Sequence, residues 1–261
     1  MLNMHVDLFS SLPIAMLAAS MSRALLLSLA ALATVEAFVH PSLRAVAPRR
    51  LPGLRSATEG VEKATPRGRE LAEKLKNVNV YLVGLMGSGK SSVGDAISRQ
   101  LGSYTFVDTD GTIEQATGQS VSAIFESEGE AGFRAVEEQV LGQVAAYVRL
   151  VIATGGGIVT TKANWASLRQ GIVVWLDVPT DSLAARLGSD AERAKRPLLG
   201  PADELEAKLD GMLEDRSELY GQCDVRVSLS GDEPPDAVAD RVIDDVIAFI
   251  LANPPKTQED A

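Results

Sequence analysis

The stretch GLMGSGKS, Gly84 to Ser91, decides how the rest of the chain is read. Its spacing is G-x-x-x-x-G-K-S, in which glycines let the backbone wrap closely enough for successive N–H groups to point at phosphate oxygens. Lys90 supplies a cation, and the Ser91 hydroxyl is placed to ligate magnesium. A glycine-rich turn alone could merely join two elements, so its flanks matter. Upstream, VNVYLV (Val78 to Val83) reads as a short buried strand; downstream, SSVGDAISRQL puts Val93, Ile97 and Leu101 on one helical face. A strand, a glycine loop and a helix N-terminus in this order make a nucleotide-phosphate site.

The chain has 261 residues, 46% of them hydrophobic, enough for one substantial core and hence one folded domain. A formal net charge of -10 argues against nucleic acid as the main partner, because such a binder shows a basic face. Small anions held by local arginines remain open. The single cysteine, Cys223, excludes an internal disulfide and a thiolate metal cluster, and reads as a small packed side chain. Both histidines, His5 and His40, lie ahead of the part that reads as globular. A mature domain without histidine has no Ser-His-Asp or Cys-His catalysis and no imidazole zinc site, which leaves carboxylates, Lys, Arg and bound metal.

The first part of the chain is an address. From Met21, Arg23 and an apolar stretch to about Val35, then small residues ending at Ala37, have the parts of a secretory signal peptide over residues 21–37. The apolar run is short for a membrane span, so no stable membrane association is expected after processing. Beyond Ala37 come Arg44, Arg49, Arg50 and Arg55, with Ser and Pro and no acid before Glu59, the composition of a transit peptide. Two addresses are therefore stacked, and the junction EAFVHPSLR resembles the bipartite presequences of algae whose plastids derive from an engulfed red alga. The plastid stroma is the expected destination. Residues 1–20 fit neither part and read as an uncertain extension, residues 38–76 as transit peptide and linker, and the folded domain as starting near Leu71 to Asn77.

Four more strands follow the first: YTFVDTD, LVIATGGG, GIVVWLDVP and CDVRVSL, separated by segments of helical period. The last helix, about Pro235 to Ala252, lines up Val238, Val242, Val246 and Ile250. Strands alternating with helices indicate an α/β fold with a parallel sheet covered on both faces, and ligands in such a sheet gather beyond the carboxyl ends of the strands. The residues just after each strand are the P-loop, then Asp108 and Asp110, then Gly155, Gly156 and Gly157, then Asp177. Three consecutive glycines leave bare backbone on which a ligand could lie. Asp108 could simply cap the helix that starts at DTDGTIEQATG. Two acids flanking one Thr at the rim of a phosphate site favour function, since magnesium wants oxygen ligands and a hydroxyl substrate wants an acceptor. Asp177 is a rival metal ligand of lower rank.

In IFESEGEAGFRAVEEQVL, Arg134 and Glu137 stand one helical turn apart and can pair, a motif that by itself reads as a solvated surface bridge. GSDAERAKRPLLG, with Arg193, Lys195 and Arg196 after Arg186, reads as a mobile flap. Arg216 in MLEDRSELYGQCD adds another cation near a strand. Several arginines scattered through an acidic chain suggest a site for an anion besides a nucleotide.

Taken in order, GLMGSGKSSVG, DTD, EGEAGFRAVEEQV, ATGGG, VVWLDVP, RPLL and RSELY resemble shikimate kinase over nearly all of Asn77 to about Ala252. Asn164-Trp165 and WLDVP are similar to plastid and cyanobacterial members. The resemblance implies a P-loop NTPase fold of nucleoside monophosphate kinase type, with a five-stranded parallel sheet flanked by helices, a lid over about residues 188–201 and a substrate-binding helical segment. It implies transfer of the ATP γ-phosphate to the 3-hydroxyl of shikimate, with Mg2+, by a monomer whose domain spans 77–252 ahead of a polar tail over 253–261. Carried over residue by residue, Gly87, Ser88, Gly89, Lys90, Ser91 and Ser92 hold ATP, Arg186 packs against adenine, and Ser91 with Asp108 serves the metal. Asp110 accepts from the substrate hydroxyls, Arg134 and Arg216 clamp its carboxylate beside Gly155, Gly156 and Gly157, and Arg196 descends from the lid onto the phosphates. The implied catalytic residues are Lys90, Asp110 and Arg196.

Two positions depart from the pattern: Glu218 stands where many bacterial members have Pro, and Ser92 replaces Thr. The first bears on the rigidity of the chain beside Arg216. Other classes fit less well. A P-loop kinase of another small polyol, such as gluconate, would keep GSGKS but is not expected to combine this arginine pair with the triple glycine. A binding protein without turnover would be expected to lack Asp110 or Lys90, and a GTPase would carry an N-K-x-D motif, which is not found.

Overall fold

Apolar runs become strands and amphipathic runs become helices in the computed structural model, which describes residues 64–189, 196, 198–199 and 204–254. Five strands, β1 (Val80–Val83), β2 (Thr105–Asp108), β3 (Leu150–Ala153), β4 (Ile172–Asp177) and β5 (Val225–Ser228), form one sheet in the order β2-β3-β1-β4-β5. Every pairing is parallel, and Val80 sits opposite Val151 on one side and Ile172 on the other. All residues of β1 and β3 are buried. Successive side chains of a strand point to opposite faces, so both faces of the sheet centre are covered, which is why these strands read as unbroken apolar runs. The edge strand β5 alternates buried and exposed instead.

The described residues also form eight α-helices, α1 (Pro66–Leu75), α2 (Lys90–Leu101), α3 (Thr109–Thr117), α4 (Val121–Ala145), α5 (Asn164–Leu168), α6 (Thr180–Leu187), α7 (Leu205–Tyr220) and α8 (Pro235–Ala252), and a short 3-10 helix at Ile158–Thr160. On α2, Val93, Ile97 and Leu101 are all buried, as their spacing predicts, and on α8 Val238, Val242 and Val246 are buried with Ile243 and Ile247, while Ile250 is half-buried. The chain leaves β1 in one direction to reach β2 and β3 and in the other to reach β4 and β5. A crevice therefore opens beyond the carboxyl end of β1, where the P-loop lies. Among the described residues no helix is long and apolar enough to cross a membrane.

The start of the folded part needs correction. Residues 66–75, expected to belong to a linker, form α1, which packs on α2 and α8. Thr65 caps it by accepting from Gly68 N at 3.0 Å, Pro66 occupies its first turn, and Leu71 and Leu75 are 1% and 2% exposed. Gly68 lets it lie close: a Cβ there would stand 2.1 Å from the Gln100 carbonyl oxygen. The Pro, Gly and charged residues at its start read as linker, which masks a Thr-Pro helix start and an i, i+4 leucine pair.

Candidate active site

The P-loop follows β1 directly, and its lysine is part of its architecture. Gly89 caps α2 at φ 89°, a conformation open to glycine, and Lys90 opens the helix. The buried Lys90 ammonium donates to the carbonyls of Gly84 (2.9 Å) and Leu85 (2.8 Å) and to Ser88 Oγ (3.3 Å). Burial pulls its pKa down to about 8, with Asp110 and Asp108 acting in the opposite direction. Asp108 divides its two oxygens. Oδ1 accepts from the N–H groups of Asp110 (3.0 Å) and Gly111 (3.3 Å) as the cap of α3, while Oδ2 accepts from Ser91 Oγ at 2.5 Å. One oxygen thus caps the helix while the other faces the P-loop serine.

A cavity of about 500 Å3 lies over this loop, lined by Gly87 to Ser92, Asp108, Asp110 and Arg186. The Arg186 guanidinium donates to Gly87 O at 2.8 Å and to Gly231 O, tying the P-loop to the connection between β5 and α8. Asp177, the rival metal ligand, does not line this cavity. Its carboxylate accepts from Arg226 (2.7 and 3.0 Å), whose guanidinium stacks over Trp175.

A second cavity, about 240 Å3, adjoins the first. The facing rings of Phe125 and Phe133, with centroids 4.6 Å apart, make its apolar wall, and Arg134, Glu137, Gly155 to Gly157 and Arg216 make its polar end. Met86, Asp110, Gly156 and Arg196 line both cavities and form the seam between them. Asp110 Oδ1 is buried there without a hydrogen-bond partner among the described residues. Burial, with Asp108 adding to it, pushes the Asp110 carboxyl up to about 6 despite Lys90 and Arg134.

The Arg134–Glu137 pair is not a surface bridge. Glu137 is fully buried, and Arg134 Nη1 donates to it at 2.8 Å. Burial disfavours the Arg134 charge, yet Glu137 and Glu130 beside it keep its pKa raised; burial likewise holds the Glu137 carboxyl above the usual range even with Arg134 adjacent. This pair also explains the triple glycine differently from a bare shelf for a ligand. A Cβ on Gly157 would stand 2.0 Å from Arg134 Nη2, and one on Gly155 would stand 2.6 Å from Glu137 Oε1 and 3.0 Å from Asp110 Oδ1. The missing side chains make room for the protein's own charges. Gly156, between them, turns its carbonyl toward α7.

That carbonyl accepts from Arg216 Nη1 (3.2 Å) and from Tyr220 Oη (2.6 Å). Tyr220 escaped the sequence reading. It is fully buried, stacks on Trp175 at 5.4 Å, and burial raises its pKa to about 12, so it stays a donor. The i, i+4 spacing of Arg216 and Tyr220 in RSELY was the available signal. Phe125, Phe133 and Glu114, which also line the second cavity, were not singled out either. Glu218 lies exposed inside the unbroken α7, so the chain beside Arg216 is helical rather than a loosened turn. Asn164 and Trp165 hold the carbonyls of Ile158 and Val159 (2.8 and 3.0 Å), a structural duty. Of the expected lid, Arg193 and Lys195 lie outside the described residues; Arg196 is placed on the seam.

Among the described residues no three His, Cys, Asp or Glu side chains cluster to hold a metal by themselves. The hydroxyl–carboxylate pair Ser91–Asp108 suits a hard cation that keeps most of its shell as water and phosphate oxygen. The donor set and the cavity thus fit Mg2+ with a nucleoside triphosphate.

A nucleotide-phosphate loop beside a small pocket with arginine at its end, the two sharing a carboxylate, defines a P-loop kinase of small anionic acceptors. The family model described as shikimate kinase matches residues 86–247. Curated relatives named shikimate kinase include one from Synechococcus sp. (strain RCC307), 47% identical over 72% of this chain and 94% of its own. Another, from Nostoc sp. (strain PCC 7120), is 46% identical over 66% and 93%. Among solved structures, shikimate kinase from Acinetobacter baumannii in complex with shikimate is 35% identical with a TM-score of 0.62, covering 71% of this chain and 99% of its own. The chain belongs to the shikimate kinase family.

Proposed function

We propose that this protein transfers the γ-phosphate of ATP to the 3-hydroxyl of shikimate, giving shikimate 3-phosphate in aromatic amino acid biosynthesis. The observation that carries this reading is the seam. Asp110 belongs to both the P-loop cavity and the arginine-ended cavity, so an acceptor bound in the second presents its hydroxyl to a phosphate bound in the first.

In this reading each residue has a role. Lys90 and Arg196 set positive charge around the transferred group, where a loose transition state spreads charge over the equatorial oxygens. Arg134 and Arg216 grip the acceptor carboxylate, for which the planar guanidinium fork suits better than an ammonium. Asp110 orients the acceptor hydroxyl and takes its proton. Ser91 and Asp108 would hold Mg2+, which would supply charge neutralisation for the transferred group. Arg186 flanks the adenine, and a lid over about residues 188–201, most of which lie outside the described residues, would exclude water.

The cyanobacterial source of several similar relatives supports a plastid enzyme, with residues 1–20 as an extension, 21–37 as signal peptide, and 38 to about 63 as the transit peptide and processing region. The mature protein then works in the stroma as a monomer.

The direct test is a coupled ADP-release assay on protein lacking residues 1–63. ADP production should require shikimate, gluconate should not replace it, and the product should carry phosphorus on the 3-oxygen by NMR. Equal turnover with gluconate, or none with either, would refute the assignment. Gly157→Ala offers a finer check. Its methyl would collide with the movable end of Arg134 rather than with backbone. Shikimate affinity should therefore drop about tenfold or more, as expected for a misplaced guanidinium fork, with some loss of stability because the same shift loosens Arg134 Nη1 from buried Glu137; calorimetry reads both ligands, and ATP affinity should hold.

A further inference from the structure

Arg134 meets a second carboxylate besides Glu137. Its Nη2 donates to Glu130 at 3.0 Å, one helical turn back along α4. The two acids differ in setting: Glu137 has no exposed side-chain surface, whereas Glu130 is 52% exposed. Arg134 Nε, on the same edge of the guanidinium as Nη2, is buried without a hydrogen-bond partner among the described residues. One edge of the fork thus has an orphan donor beside a donor held by a half-exposed glutamate. Glu130 also follows a break in its helix, because Gly129 stands at φ 70°, ψ -176° within α4, a conformation suited to glycine. The segment ahead of that break, with Val121 and Phe125, lines the acceptor cavity.

We propose that Glu130 is an internal stand-in for the acceptor's carboxylate: it occupies Arg134 Nη2 while the pocket is empty and is displaced when an acidic acceptor takes the Nε–Nη2 edge. Buried Glu137 stays in place and keeps the guanidinium oriented through Nη1. Acceptor affinity is then the difference between an external and an internal carboxylate at one fork, which makes Glu130 a determinant of how tightly, and how selectively, a carboxylated ring is held. Acceptors without a carboxylate cannot displace it by charge.

This inference rests on the shikimate reading above, and the test separates the two. Calorimetry with shikimate and with its uncharged methyl ester is run on the full chain as wild type, Glu130→Gln and Glu130→Ala. Both variants are expected to bind shikimate about two- to fivefold more tightly, the scale of a partly exposed ion pair. The ester's affinity should not change, so the gain is specific to the carboxylate. Weaker or equal shikimate binding in both variants would overturn the proposal and make Glu130 a support for Arg134 or a bystander. A parallel gain for the ester would overturn it too, by showing a general opening of the pocket. Failure of wild type to bind shikimate at all would instead refute the substrate assignment.

Discussion

Arg134→Ala should abolish measurable shikimate binding while ATP binding persists. Two charge-assisted hydrogen bonds to a carboxylate are lost, each about 1.5–3 kcal/mol, so affinity should fall about a hundredfold or more. The substitution also has a cost inside the protein. Glu137 has no exposed side-chain surface and Arg134 is the cation it accepts from at 2.8 Å, so alanine leaves a buried carboxylate uncompensated. That typically costs about 3–5 kcal/mol of folding stability. The double variant Arg134→Ala/Glu137→Gln separates the two effects: removing the stranded charge should restore much of the melting temperature without restoring shikimate binding. Calorimetry and thermal denaturation on both variants check this. Recovery of binding in the double variant would mean that Arg134 acts only as a structural counter-ion.

Asp110→Asn should have the converse signature. The Asp110 carboxyl sits on the seam with an unpartnered buried oxygen, and burial already works against its charge. Asparagine keeps the shape but loses an anionic acceptor. Turnover should fall about 10²- to 10⁴-fold, the usual range for a positioned acid or base. A loose transition state would place the loss toward the lower end. Because the ionised carboxylate is held there against desolvation, the fold should be no less stable with the amide. Steady-state kinetics together with thermal denaturation test both parts. A large rise in the shikimate KM with unchanged kcat would make Asp110 a binding group alone.

Much of this was legible in the sequence because it is local. GLMGSGKS between a buried strand and an amphipathic helix needs only neighbouring residues to be read, and so do β4 and α8. The acids and glycines after β2 and β3 could be placed at one rim by the general geometry of parallel sheets. The role of each glycine could not. Gly157 is small because Arg134, more than 20 positions earlier, fills the space its side chain would take, and that distance is visible only in three dimensions. The same holds for Glu137, whose spacing from Arg134 suits a surface bridge equally well and whose burial comes from packing of α4 against the rest of the site. Asp108 divides its oxygens between the helix cap and the P-loop serine, which sequence spacing alone does not separate. At the other end, α1 was hidden by composition: its arginines face outward, Arg67 toward Asp244, while Leu71 and Leu75 do the docking.

The central claim is that phosphate donor and acceptor meet at the seam formed by Met86, Asp110, Gly156 and Arg196. A crystal structure with shikimate and a non-hydrolysable ATP analogue measures this directly. The 3-hydroxyl oxygen should lie about 3–3.5 Å from the γ-phosphorus beside Asp110, with the carboxylate against Arg134 and Arg216. Shikimate bound outside the arginine-ended cavity, or turned with its carboxylate toward the P-loop, would contradict the account.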